Sequence, residues 1–165
     1  MVMNISGPTK NIPKTKLDAW LERHRKPQTL ANLASTAALA RSLAAVLPAD
    51  STLALSGDLG SGKTTFVRFL AEALGIREPV KSPTFNLYAI YNGPIRLLHC
   101  DAYRLNDSAE MDALLLDEYL VSPWLLCVEW PEHIPEWMPA DALSLHFYIV
   151  NGVHSVALSS NPSKT

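Results

Sequence analysis

Apolar positions recur at helical spacing in three stretches of the chain and gather into short runs in six others. Over residues 35–47, Leu39, Leu43, Ala44 and Leu47 share one face of an alanine- and leucine-rich segment. This predicts a helix capped near Ser35 and stopped by Pro48. Over 64–74, Phe66, Phe69, Leu70, Ala73 and Leu74 keep the same spacing up to Gly75, which predicts a second helix. A third is expected over 108–116, with Ser108 as its cap and Met111, Leu114 and Leu115 turned inward. The runs 52–56, 85–91, 95–100, 125–128, 143–150 and 155–158 read as strands. Asn92-Gly93 and Asn151-Gly152 predict tight turns between two pairs of them. Pro131, Pro135 and Pro139 mark an irregular loop.

One loop changes the picture. Between the first strand and the second helix stands Gly57-Asp58-Leu59-Gly60-Ser61-Gly62-Lys63-Thr64, a G-x-x-x-x-G-K-T pattern. Strand, glycine loop and helix together are the context in which such a loop binds nucleotide phosphates. Glycines without a Cβ let backbone N–H groups converge on an anion, and the helix turns its free N–H groups and positive end toward the same place. Lys63 supplies a compact charge for the β and γ oxygens, and Thr64 a hydroxyl for Mg²⁺. The expected fold is therefore α/β, a P-loop NTPase domain whose mixed sheet has a parallel centre, antiparallel hairpins and flanking helices.

A metal shell also needs acid. In open parallel sheets ligands sit beyond the carboxyl ends of the strands. Two apolar runs end there in a carboxylate, Leu125-Leu126-Cys127-Val128-Glu129 and Ile95-Arg96-Leu97-Leu98-His99-Cys100-Asp101. Glu129 and Asp101 are thus the candidate acids, holding Mg²⁺ directly or through water. Ser82-Pro83-Thr84 follows the P-loop helix, where nucleotide-binding proteins often keep a segment that senses the γ-phosphate.

Length and charge add organisation. The 165 residues fit one domain, with 48% of them apolar, enough for a sizeable core. The formal charge of −2 argues against bulk attraction to nucleic acid, but it is uneven: residues 1–28 carry +4 and the remainder −6. Pro8, Pro13 and Pro27 interrupt the basic stretch, which reads as a flexible extension able to meet RNA or an acidic partner. A short helix over 18–24, around Trp20 and Leu21, is the one element expected in it. The domain is then 29–159, with a tail over 160–165. No run approaches the roughly 20 apolar residues that span a membrane, and residues 1–11 lack the core of a secretory signal. Cys100 and Cys127 lie in apolar runs and read as reduced, buried thiols, pointing to the cytoplasm.

Four ordered motifs together resemble one family: the glycine loop through Thr65-Phe66, Ser82-Pro83-Thr84-Phe85, His99-Cys100-Asp101-Ala102-Tyr103-Arg104-Leu105 and Glu129-Trp130-Pro131-Glu132. The chain resembles the bacterial TsaE (YjeE) proteins from about Thr29 to Ser159. The resemblance implies a slow Mg²⁺-dependent ATPase of tRNA threonylcarbamoyladenosine synthesis that does not itself perform the transfer. It implies TsaD-like and TsaB-like partners, which modify adenosine 37 in tRNAs reading codons that begin with A, so that tRNA is met through the complex. Carried onto this chain, Gly57, Asp58, Gly60, Ser61, Gly62, Lys63, Thr64 and Thr65 hold the nucleotide. Lys63, Asp101 and Glu129 act on the reacting phosphate, and Thr64, Glu129 and Asp101 serve the metal. Thr84 belongs to the switch-like loop, Trp130 packs close to the site, and Gly152 falls on the nucleotide side. The chain departs from the family pattern at Ser61, Cys100 and Ala102. It also has Asn32-Leu33 where a carboxylate is common beside the adenine, and Gly152-Val153-His154 where Gly-Arg is frequent.

Three other functions share parts of this pattern. A small-molecule kinase has the same loop, but its lid needs cations, and nothing from Leu105 through Ser163 is basic except histidine. A GTPase needs an Asn/Thr-Lys-x-Asp motif after the loop, and Thr15-Lys16-Leu17-Asp18 precedes it. A nucleotide-dependent binding switch without turnover would use the same residues, and an assay with partner proteins and tRNA separates it.

Overall fold

The computed structural model describes residues 15–83 and 85–159. Seven strands form one sheet in the order β1-β7-β6-β2-β5-β4-β3. They are β1 (Gln28–Leu30), β2 (Ser51–Ser56), β3 (Tyr88–Tyr91), β4 (Arg96–Asp101), β5 (Trp124–Glu129), β6 (Leu143–Val150) and β7 (Val153–Leu158). The centre β6-β2-β5-β4 is parallel, and antiparallel pairs close both ends. This is the expected mixed sheet.

The alternation of the central strands sorts side chains to two cores. Leu53 and Leu55 of β2, Leu97 of β4 and Leu125 and Cys127 of β5 join one cluster with the helices α2 (Leu33–Ala44) and α3 (Lys63–Ala73), through Leu43, Phe66 and Leu70. Ala54, Leu98, Cys100, Leu126 and Val128 face the other cluster, under α4 (Ser108–Asp112) and the loop that carries Ile134 and Met138. Both cysteines are free and buried, and desolvation pushes both thiols up, so they are uncharged core groups.

Several local expectations change. α2 begins earlier than Ser35: Asn32 is its cap, its side chain accepts from Ser35 N at 3.0 Å, and the Ser35 hydroxyl meets Asn32 N in return. Replacing Asn32 by Ala is expected to cost about 1 kcal/mol of stability, read by urea denaturation. The helix expected over 108–116 stops at Asp112, because Leu115 takes a left-handed φ of 49° and starts a 3₁₀ turn over Leu116–Tyr119. The turn after β3 is longer than a two-residue Asn92-Gly93 turn: residues 92–95 separate β3 from β4, and Tyr91 pairs with Leu97. The Asn151-Gly152 turn is as expected, both residues having positive φ between paired Val150 and Val153.

The largest difference concerns the basic stretch. The boundary does not fall at residue 28. The helix α1 (Lys16–Arg23) carries a capping box at Thr15 and Asp18, and β1 pairs with β7. Trp20 is 1% exposed, sits in the first core, and donates its indole N–H to Ser42 Oγ at 2.9 Å. Leu17 and Leu21 flank Trp20 at helical spacing and pack on the same core, a face only one turn long but enough to dock the helix. Residues 1–14 and 160–165 lie outside the described part of the chain. No helix among the described residues is long and apolar enough to cross a membrane.

Candidate functional site

The loop between β2 and α3 is shaped by its glycines. Gly57 takes φ 128°, and a Cβ there would stand 2.0 Å from the Phe147 carbonyl oxygen of β6, so only glycine fits against that strand. Gly62 takes φ 109° and caps α3 without a side-chain hydrogen bond, which leaves the first amides of the helix pointing into the loop. That geometry is an anion nest at a helix N-terminus.

Lys63 opens α3 and is 4% exposed. Its ammonium reaches back to donate to the carbonyls of Gly57 and, at 3.0 Å, Asp58. It also lies 4.2 Å from the centroid of the Trp130 ring. Burial pushes this ammonium below the ordinary lysine value, while the carboxylates of Glu129, Glu132, Asp101 and Asp58 pull it back up.

The acids arrive from two neighbouring parallel strands. The β4–β5 register sets Asp101 opposite Glu129 and His99 opposite Cys127. By the period of two, His99, Asp101, Cys127 and Glu129 then share the face that meets α3. Glu129 is buried, and its Oε1 accepts from the Thr64 hydroxyl at 2.7 Å and from His99 Nε2 at 2.8 Å. Asp101 accepts from the Tyr103 backbone N–H at 3.0 Å, which holds the turn after β4. Trp130 follows Glu129 in a left-handed conformation, φ 59°, its N–H bonded to Leu55 O at 3.1 Å. That bend turns its ring to Lys63 and to Tyr103, 4.9 Å away between centroids.

Two hollows flank the loop. One, about 390 Å³, is lined by Lys63, Thr64, Asp101, Glu129, Tyr103 and Trp130, among others. The second, about 340 Å³, is lined by Leu30, Asn32, Leu33, Thr36, Ser61 and His154, among others. Both include Gly60, Gly62 and Thr65, so they form one groove across the loop. His154 is tied to the loop through Nδ1, 3.0 Å from Ser61 O.

The structure therefore gathers Gly60, Ser61, Gly62, Lys63, Thr64, Thr65, Asp101, Glu129 and Trp130 around one groove, while Gly57 and Asp58 hold Lys63 from below. It does not bring Gly152 there: that residue occupies the β6–β7 turn and lines neither hollow, while His154, two residues on, does. Thr84 lies outside the described residues; Ser82 lines the first hollow. His99 and Tyr103 stand in the third motif and His154 near Gly152, yet pattern reading assigned none of them a task, and it did not single out Leu30. The partner of His99 is 30 residues away on the neighbouring strand, and the other three reach the groove only through pairing or turns distant in sequence.

The donors suit a hard cation. A hydroxyl and two carboxylates offer oxygen alone, and among the described residues no three His, Cys, Asp or Glu side chains gather into a metal site. Such a partial set fits Mg²⁺, which keeps waters and phosphate oxygens as its remaining ligands.

Residues 30–154 match the family model "Threonylcarbamoyl adenosine biosynthesis protein TsaE". The tRNA threonylcarbamoyladenosine biosynthesis protein TsaE of Bacillus subtilis is 43% identical over 115 residues, 69% of this chain and 72% of that protein. The protein of the same name from Streptomyces coelicolor is 45% identical over 112 residues, 65% of this chain and 74% of that protein. A crystal structure of Bacillus subtilis YdiB superposes with a TM-score of 0.68 at 31% identity, over 84% of this chain and 87% of the other.

Proposed function

Since the chain belongs to the TsaE family of threonylcarbamoyl adenosine biosynthesis proteins, we propose that it binds MgATP in the groove across its glycine loop and hydrolyses it slowly as an accessory to that tRNA modification. The observation that carries this reading is the Thr64–Glu129 hydrogen bond at 2.7 Å beside the buried Lys63 ammonium. A hydroxyl in the first turn of a helix, held by a carboxylate from a strand of the sheet, is a ready binding place for a metal ion carried on phosphates.

Each residue then has a task. The loop amides and the N-terminus of α3 bind the phosphate oxygens, and Lys63 holds the β and γ oxygens, steadied by the Gly57 and Asp58 carbonyls. Thr64 and Glu129 would hold Mg²⁺, with Asp101 as the second acid on the same side of the groove. When bound, Mg²⁺ neutralises charge on the β and γ oxygens as the terminal phosphoryl group leaves. The Trp130 ring covers the ammonium and excludes water from one side of it. The second hollow, with Leu30, Asn32, Leu33, Thr36 and His154 but no acidic or permanently cationic side chain, suits the base and ribose.

The partners in this reading are TsaD-like and TsaB-like proteins, which carry out the transfer, and the tRNA is met through them. A lid-bearing kinase fits less well, since Lys63 is the single permanent cation among the described residues that line either hollow. The test is ATP turnover by the purified chain, alone and then with the partner pair and tRNA. Glu129→Ala and Asp101→Ala are each expected to lower turnover about tenfold while changing nucleotide affinity less, because they place the metal more than they add contact area. Unchanged hydrolysis in both variants removes the two acids from the mechanism.

A further inference from the structure

His99 is fully buried on β4, two residues before Asp101. Its Nε2 lies 2.8 Å from Glu129 Oε1, the oxygen that also accepts from Thr64. An ionised carboxylate only accepts, so Nε2 is the nitrogen that carries the proton in this pair. The other ring nitrogen, Nδ1, is buried with no hydrogen-bond partner among the described residues. A buried polar atom without a partner is costly. A leucine at 99 would avoid that cost and would continue the apolar run of Leu97 and Leu98. The imidazole makes one hydrogen bond among the described residues, and that bond is to Glu129.

We propose that His99 is a positioning residue for the metal-shell acid. Its Nε2–H and the Thr64 hydroxyl hold Oε1 between them from two directions, which fixes the Glu129 side chain in one rotamer. Oε2 takes no hydrogen bond in the described residues and is the oxygen left to a cation. Without His99 the carboxylate keeps only the Thr64 contact, which a metal ion would compete for, so the ion meets an acid that must still be ordered. The role of His99 is thus to separate the two oxygens of Glu129, one for structure and one for ligation. The inference rests on the reading of Glu129 as metal-shell acid.

The experiment uses the full chain, a non-hydrolysable ATP analogue and Mn²⁺ as the probe, with free Mn²⁺ read by electron paramagnetic resonance. His99→Leu is expected to weaken Mn²⁺ binding to the protein–nucleotide complex about tenfold or more, with metal-free nucleotide affinity unchanged. His99→Gln, whose amide N–H can reach the same oxygen, should restore most of the loss, and a role in packing alone would not be rescued this way. In a Glu129→Ala background, His99→Leu should weaken Mn²⁺ binding no further. Equal Mn²⁺ affinity in wild type and His99→Leu, or a full additional loss in the Glu129→Ala background, overturns the proposal. Nitrogen-15 NMR of the unliganded wild type needs no variant: a proton on His99 Nε2 is expected, and a ring protonated on Nδ1 alone overturns the proposal. A wild type that takes up no analogue, with or without Mn²⁺, sinks the nucleotide reading itself; normal uptake with an indifferent His99 sinks this inference alone.

Discussion

Lys63→Ala is expected to lose between half and most of the thermal stabilisation that MgATP should confer on the wild-type protein. At nucleotide 100-fold above its dissociation constant, binding stabilises the folded state by about 2.7 kcal/mol. In the proposed reading the ammonium makes a charge-assisted bond to phosphate, worth about 1.5–3 kcal/mol, so its removal should weaken binding about ten- to a hundredfold. A hundredfold loss leaves about 0.4 kcal/mol of stabilisation at the same concentration. In the unliganded variant two opposing terms change: the desolvation cost of the buried ammonium is gone, and the Gly57 and Asp58 carbonyls lose its hydrogen bonds, so the variant's own melting temperature is the baseline for its ligand shift. Differential scanning fluorimetry with and without MgATP measures both quantities. A variant that keeps the full MgATP shift shows that Lys63 does not hold the phosphates.

Trp20→Ala carries the second large effect, and it falls on stability rather than on the site. Trp20 is fully enclosed by the first core, its indole bonded to Ser42 and its ring stacked on His24 at 3.9 Å between centroids. Truncating a buried tryptophan costs about 3–5 kcal/mol from lost transfer energy and the cavity left behind. Trp20→Phe keeps most of the packing and should cost much less. Urea denaturation of the three proteins decides the matter. A change within about 0.5 kcal/mol for Trp20→Ala, the range of ordinary surface substitutions, would mean that α1 is not docked as described.

The acid pair explains why parts of the site were legible and parts were not. Glu129 and Asp101 could each be picked out, because an apolar run ending in a carboxylate is a local pattern. Their neighbourhood could not, because it depends on β4 and β5 lying side by side in a register that sets Asp101 against Glu129. His99 is the sharper case: within its run it is one polar letter, and its meaning lies in an oxygen 30 residues away. Gly152 fails for the opposite reason. Its glycine is required by the turn it occupies, φ 77°, and that local demand says nothing about the groove.

The helices expected at 35–47 and 108–116 teach the same distinction. Both exist, but their ends move, since Asn32 and Ser35 serve each other as a capping pair and Leu115 turns left-handed where α4 gives way to a 3₁₀ turn.

The order of residues alone determined the features whose physics is short-ranged: the glycine loop, the start of α3 to within one residue, the buried strands and the Asn151-Gly152 turn. Backbone dihedrals, side-chain periodicity and the missing Cβ of glycine act within a few residues. Three features needed the folded chain: the docking of α1 through Trp20, the convergence of Thr64, His99 and Glu129 on one oxygen, and the groove that joins the two hollows. Each is a contact between segments far apart along the chain, and burial and strand register, which create such contacts, exist only once the sheet has formed.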